Sequence, residues 1–215
     1  MDAVSEMAEE EVIVQGASRT DAGVHALGQC AGFTVSKDTI SADGWRKGLN
    51  ALLPSDIAVR SCDVPPPDWD PRRSATAKRY RYNLLNRRVR SPLHDRTSWW
   101  RRGHLDVEAM QEAGAHLLGE NDFTSFRSAR CSSKTPWRRM YGIEVRRVDE
   151  LVLVDVHGNA FLQHMVRSIV GTLVAVGHGR THPDELADIL AAKDRQRAGR
   201  TAPACGLTLV AVSYE

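Results

Sequence analysis

Cysteine is scarce and scattered: Cys30, Cys62, Cys131 and Cys205 lie far apart, with no C-x-x-C pair among them. That spacing argues against a zinc site and a disulfide scaffold, and it suits a reduced, cytoplasmic setting. No run of about twenty apolar residues occurs, so no membrane-spanning helix is expected. Residues 1–10 are acidic rather than basic and then apolar, which is not the pattern of a secretory leader. The chain also lacks a large charge of either sign. A net charge of +2 does not by itself point to nucleic acid.

What is present is ordinary in bulk. The 215 residues, 42% hydrophobic and 26% charged, suffice for one large domain or two small ones with a sizeable core. The distribution of charge says more than its sum. Basic residues gather at Arg72-Arg73, Lys78-Arg79-Tyr80-Arg81, Arg87-Arg88-Val89-Arg90, Arg101-Arg102 and from Arg127 to Arg139. Guanidinium forks suit phosphate recognition, although any one such cluster is more simply a solvated surface.

The stretch richest in chemistry is Gly16-Ala17-Ser18-Arg19-Thr20-Asp21-Ala22-Gly23-Val24-His25-Ala26. Before it, Glu11-Val12-Ile13-Val14-Gln15 reads as a strand, and Gln29 to Val35 reads as another after it. Glycines at both ends let a substrate approach the main chain closely. An arginine two residues before Asp21 favours the ionised carboxylate. No Gly-Lys-Ser/Thr closes the segment, so it is a poor phosphate-binding P-loop. A hairpin-like turn whose Asp caps its own backbone has the same spacing, and spacing alone leaves the two readings open.

Further along, the end of a helix is expected over residues 1–10. Another helix is expected over Ser41–Leu53, with Ser41 as N-cap and Pro54 as its stop, then a strand over Ile57–Arg60. In Ser74–Leu85, strict alternation places Tyr80 and Tyr82 on one strand face and Arg79 and Arg81 on the other. Arg87–Arg102 reads as a loop and Leu105–Leu118 as an amphipathic helix that ends at Gly119. Phe123 and Phe126 are expected in the core. Two consecutive strands span Met140–Val148 and Leu151–Val156. Met165, Val166, Ile169, Val170 and Leu173 form an apolar helix face, on which His164 and Arg167, three apart, share one side. A covered arginine needs a partner, and an ordinary ion pair within or between helices is an equal alternative. His178 and His182 are spaced i, i+4, but without further ligand residues they read as surface histidines. Pro183–Ala192 is a short helix, and Ala202–Tyr214 a turn and closing strand.

Gly16 to His25 resembles the catalytic loop of the TruA family of tRNA pseudouridine synthases, which carries R-T-D-A-G-V-H. More matches follow in order along nearly the whole chain. Ser74–Tyr82 resembles S-A-T-A-K/R-R-Y-x-Y, Gly119–Arg127 resembles G-x-H/N-D-F-x-S/A-F-R/C, and Phe161–Gly171 resembles the family's F-L/V…M-V/I-R…V-G helix, with Gln163 where His or Arg is common. Ala202–Tyr214 resembles A-P-x-x-G-L-x-L-x-x-V-x-Y. The family places a strand and helix with a Y-D-G…G-W-Q-like segment ahead of its catalytic loop, and no counterpart is found here.

The resemblance implies an α+β pseudouridine synthase fold, with two similar halves, each an antiparallel sheet with helices on one face, framing a basic central cleft. The halves would be 1–90, carrying the catalytic loop and incomplete relative to the family, and 91–215. It implies conversion of uridine to pseudouridine in the tRNA anticodon stem-loop, positions 38–40, by a cytoplasmic homodimer, with no metal, redox cofactor or membrane. Asp21 would be the essential carboxylate, attacking sugar or base or abstracting a proton. Arg167 would reach Asp21, Arg19 would hold it ionised and fill the space left by the flipped uridine, Tyr80 would pack on the uracil, and Leu207 would line the site. His25 shapes the loop rather than catalysing. Two other classes stand beside this reading. A truncated, catalytically weak RNA-binding remnant would keep the arginines but not the geometry. A carboxylate-nucleophile hydrolase is weakly supported, since no second carboxylate has a suggestive spacing.

Overall fold

The computed structural model describes residues 2–36 and 39–214. In chain order the elements are α1 (Asp2–Ala8), β1 (Gln15–Gly16), β2 (His25–Ala26), β3 (Ala31–Gly32), α2 (Ala42–Leu52), β4 (Ala77–Asn86), β5 (Trp99–Arg101), α3 (Val107–Ala115), β6 (Gly119–Asp122), β7 (Trp137–Val148), β8 (Leu151–Gly158), α4 (Met165–Gly177), α5 (Glu185–Ala192) and β9 (Leu207–Ser213). They divide into two compact units. One comprises Met1–Arg19 with Cys30–Ala75, the other Thr20–Gln29 with Thr76–Glu215.

The first unit is small. Val4 of α1 and Trp45 and Leu49 of α2 close a core with Val12, into which Phe33 sets its ring edge-on to Trp45 at 4.9 Å. Ser41 caps α2 as expected, its hydroxyl accepting from the Gly44 N–H at 3.1 Å. The β-branched segments on either side of the loop pair over only two residues each, Gln15 with Gly32 and Gly16 with Ala31. Nor is Ile57–Arg60 a strand. Asn50 takes its place as partner, accepting from the Val59 N–H at 2.7 Å and donating to the Val59 carbonyl at 2.8 Å. One side chain thereby satisfies the backbone groups that a ladder would otherwise serve.

The second unit is an α+β layer built on a seven-stranded sheet, ordered β2-β9-β4-β8-β7-β6, with β5 joined to the end of β4. Most pairings are antiparallel, while β2 with β9 and β4 with β5 are parallel. Tyr80, Tyr82 and Leu84 stand opposite Val156, Val154 and Val152, and this face is sealed by the apolar stripe of α4. Each such side chain removed from water stabilises the fold by about 1.5–3 kcal/mol. The opposite face carries Arg81, Arg146 and Asp155. Asp155 receives Arg81 Nε at 2.8 Å and Arg146 Nη1 at 2.5 Å. The alternation read along β4 is therefore the two-sidedness of the sheet.

Phe123 and Phe126 are fully buried, as their pattern required. A further expectation fails: Arg87–Arg102 is not all loop. Trp99 is buried, and Asn86 donates to the Arg101 carbonyl at 3.1 Å, fixing Trp99–Arg101 beside Leu84–Asn86 as β5. Helix α4 meets another backbone directly. A Cβ on Gly171 would fall 1.7 Å from the Arg200 carbonyl oxygen, so no larger residue fits there.

Candidate active site

Asp21 begins a tight turn in which the Val24 N–H donates to the Asp21 carbonyl at 2.9 Å. Gly23 completes it at φ +84, a conformation that disfavours side chains. The chain leaves the turn as β2, where His25 and Ala26 pair with Thr208 and Leu209 of β9. His25 Nε2 lies 2.7 Å from the Arg96 carbonyl, a contact that ties the loop down. The parallel pairing explains how a loop near the start of the sequence reaches the closing strand.

The Asp21 carboxylate meets α4 there. Arg167 Nη1 donates to Asp21 Oδ2 at 2.7 Å, and His164 Nε2 lies 3.3 Å from the same oxygen. Oδ1 accepts no hydrogen bond among the described residues. Asp21 is one-third exposed, whereas the Arg167 side chain retains only 15% of its exposure. One carboxylate oxygen is therefore anchored by a mostly covered guanidinium while the other is left for an incoming group.

Arg167 is itself fixed from behind. Its Nε donates to the Ala202 carbonyl at 2.7 Å, and its carbonyl accepts from the Ala202 N–H at 3.0 Å. The next carbonyl, of Pro203, accepts from the Tyr82 hydroxyl at 2.7 Å. Burial pushes the Tyr82 phenol far above its ordinary pKa, so it stays a neutral donor. Leu207 follows at the start of β9, paired with Tyr82 and buried.

Not every anticipated side chain is at this point. Tyr80 is buried on β4, two residues before Tyr82, and packs edge-on against Phe161 with ring centroids 5.1 Å apart. Arg19 is exposed and falls in the first unit. Of the five residues singled out from the sequence, Asp21 and Arg167 are in direct contact, and Leu207 and Tyr80 lie on the adjacent strands β9 and β4.

His164 is the member that the sequence reading missed. It precedes α4 at φ 63 and ψ 2, a left-handed conformation that costs a side-chain-bearing residue energy. The signal was its three-residue spacing from Arg167. The contact with Asp21 depends on the backbone turn at the helix start, which spacing does not specify. Among the described residues, no group of three or more His, Cys, Asp or Glu side chains is placed to hold a metal ion.

A carboxylate with one oxygen clamped and one open, set by Arg167 on α4 and by His164 just before it, sits in the loop that carries R-T-D-A-G-V-H. The family model described as tRNA pseudouridine synthase matches residues 2–72 and 113–215, which include Asp21, His164, Arg167 and Leu207. The chain belongs to the tRNA pseudouridine synthase family. Its relatives agree. A protein of Geotalea daltonii named tRNA pseudouridine synthase A is 45% identical over 213 residues, covering 99% of this chain and 87% of the relative. Proteins of the same name from Pectobacterium atrosepticum and Vibrio cholerae are 49% and 47% identical, each covering 99% of this chain and 75% and 80% of the relative.

Proposed function

We propose that this chain is an isomerase that converts uridine to pseudouridine in tRNA, acting at positions 38–40 of the anticodon stem-loop. The observation that carries the reading is the Asp21 carboxylate, its Oδ2 bound by Arg167 and its Oδ1 open. The reaction breaks the bond between C1′ and N1, rotates the detached uracil and joins C5 to C1′. C5 gives up its proton and N1 gains one. Substrate and product contain the same atoms and electrons, so the stoichiometry calls for no redox partner.

Asp21 is the essential carboxylate, through Oδ1, whether it bonds to the sugar or the base or takes the C5 proton. Arg167 holds it aimed through Oδ2. Leu207 lines the apolar side, Tyr80 packs on the uracil, and Arg19 occupies the place of the extruded nucleotide. The intact anchoring of Arg167 on Ala202 disfavours a remnant that has lost its geometry. We further infer a cytoplasmic enzyme that works as a homodimer. No helix among the described residues is long and apolar enough to cross a membrane.

The test is pseudouridine formation on unmodified tRNA by this chain, with Asp21→Asn beside it. Turnover lost in the variant while tRNA binding persists is the expected result. Equal turnover by both would remove Asp21 from its role.

A further inference from the structure

Away from Asp21, arginines gather around one indole without an ion-paired carboxylate among the described residues. Trp99 opens β5 and is buried to 8% exposure. The Arg101 guanidinium carbon lies 4.7 Å from its ring centroid and that of Arg200 lies 4.9 Å away. Such contacts hold a guanidinium through the negative face of the ring. Burial, with the positive charges of Arg200 and Arg180, draws the Arg101 pKa below its usual value. Among the described residues none of Arg101, Arg180 and Arg200 forms an ion pair.

The cluster is fixed rather than loose. Arg101 Nη2 lies 3.1 Å from His178 Nε2, and arginine can only donate, so Nε2 accepts. The proton of a neutral His178 is then on Nδ1, which lies 3.1 Å from the His104 carbonyl and donates to it. His178 is thus a structural support and not a free surface side chain. Arg200 is held through its backbone, whose carbonyl lies against Gly171. Arg101 Nε is buried without a hydrogen-bond partner. Holding like charges together costs free energy unless an anion joins them, and pre-set forks bind phosphate in a bidentate way.

We propose that Arg101 and Arg200, seated on Trp99 and flanked by Arg180, bind a phosphate group of the RNA strand at a site separate from Asp21. The proposal rests on the tRNA reading above for the identity of that strand. The two sites share one segment: Arg200 lies two residues before Ala202, whose carbonyl anchors Arg167. A phosphate held at Arg200 therefore docks the RNA on the same piece of chain that positions the reactive carboxylate.

The experiment measures tRNA affinity against salt for the wild type, Arg101→Gln, Arg200→Gln and the double variant. Neutralising one phosphate contact lowers the slope of log K against log salt by about 1. Because one phosphate is held, the double variant should lose about 1 and each single variant no more than that, with KM for tRNA raised and kcat kept. Wild-type slopes in all variants would overturn the site. Binding with the predicted slopes but no pseudouridine product would sink the functional reading and leave the phosphate site standing. Because Arg101→Gln also removes a contact on Trp99, the Arg101 Nε–H and Trp99 indole NMR signals of the wild type are also followed. A saturable shift with tRNA but not inorganic phosphate assigns the site to RNA alone. Shifts with both, and none with chloride at equal ionic strength, assign it to phosphate in general. No shift with either would refute it.

Discussion

Arg167 and Asp21 are 146 positions apart in sequence, yet Arg167 Nη1 lies 2.7 Å from Asp21 Oδ2. The same guanidinium uses Nε on the Ala202 carbonyl, so one side chain locks the Asp21 loop, α4 and the approach to β9 into one arrangement. The carboxylate is aimed by a residue that is itself aimed.

That double role separates two substitutions. Arg167→Lys keeps a positive charge but cannot hold both acceptors with one planar fork. Its kcat should fall at least 100-fold, the order expected when a positioned acid or base is lost, with tRNA affinity within a few-fold of wild type. Arg167→Met also frees the Ala202 carbonyl, and a hydrogen bond from a charged group contributes about 1.5–3 kcal/mol. Its melting temperature should drop by several degrees. Steady-state kinetics and thermal unfolding of the two variants check this.

His164 supplies the second contact to Asp21 Oδ2, at 3.3 Å, from a left-handed backbone. His164→Gln keeps an N–H donor of similar reach, whereas His164→Ala keeps none. The alanine variant should lose about tenfold in kcat at unchanged KM, the size of one polar contact to Asp21 worth about 1.4 kcal/mol in the transition state. The glutamine variant should recover most of the rate. Equal rates in both would reduce His164 to a backbone role.

On the far face of the sheet, Asp155 contributes to the response to acid. Burial works to raise its pKa, but hydrogen bonds and charge from Arg81 and Arg146 outweigh it, and the carboxyl titrates below its usual range. A depressed carboxyl stabilises the fold fully above its unfolded value of about 3.9, and the contribution is lost as pH falls through the lower folded value. Asp155→Asn should therefore cost about 1–3 kcal/mol at pH 7. Its disadvantage should shrink as pH drops below about 4. Denaturant midpoints of both proteins across that range decide the matter.

Much of this was legible in the residues. Ser41 and Pro54 bounded α2, the apolar stripe from Met165 to Leu173 marked α4, and alternation put Tyr80 and Tyr82 opposite Arg79 and Arg81. The R-T-D-A-G-V-H string marked Asp21 and, with it, the family. Less legible were the segments whose local preference lost to their surroundings. Val12–Val14 and Ile57–Val59 have strand-forming residues, but β-propensity describes fit to a pleated neighbour. In the first unit Val12 joins a small core and Val59 bonds to Asn50 instead. Trp99–Arg101 went the other way: an arginine- and proline-rich stretch became a strand because β4 offered an edge and Trp99 a core to enter.

The sequence by itself determined the periodic elements, the capping of α2 and the chemical identity of the Asp21 loop, since these follow from side-chain type and short-range geometry. Only the tertiary structure decided that His164 joins Arg167 on one carboxylate oxygen, that Ala202 anchors the arginine, and that Arg101 and Arg200 share one indole. Those contacts join residues far apart in the chain. They depend on strand register and on backbones packed against each other at Gly171, and no local pattern records either.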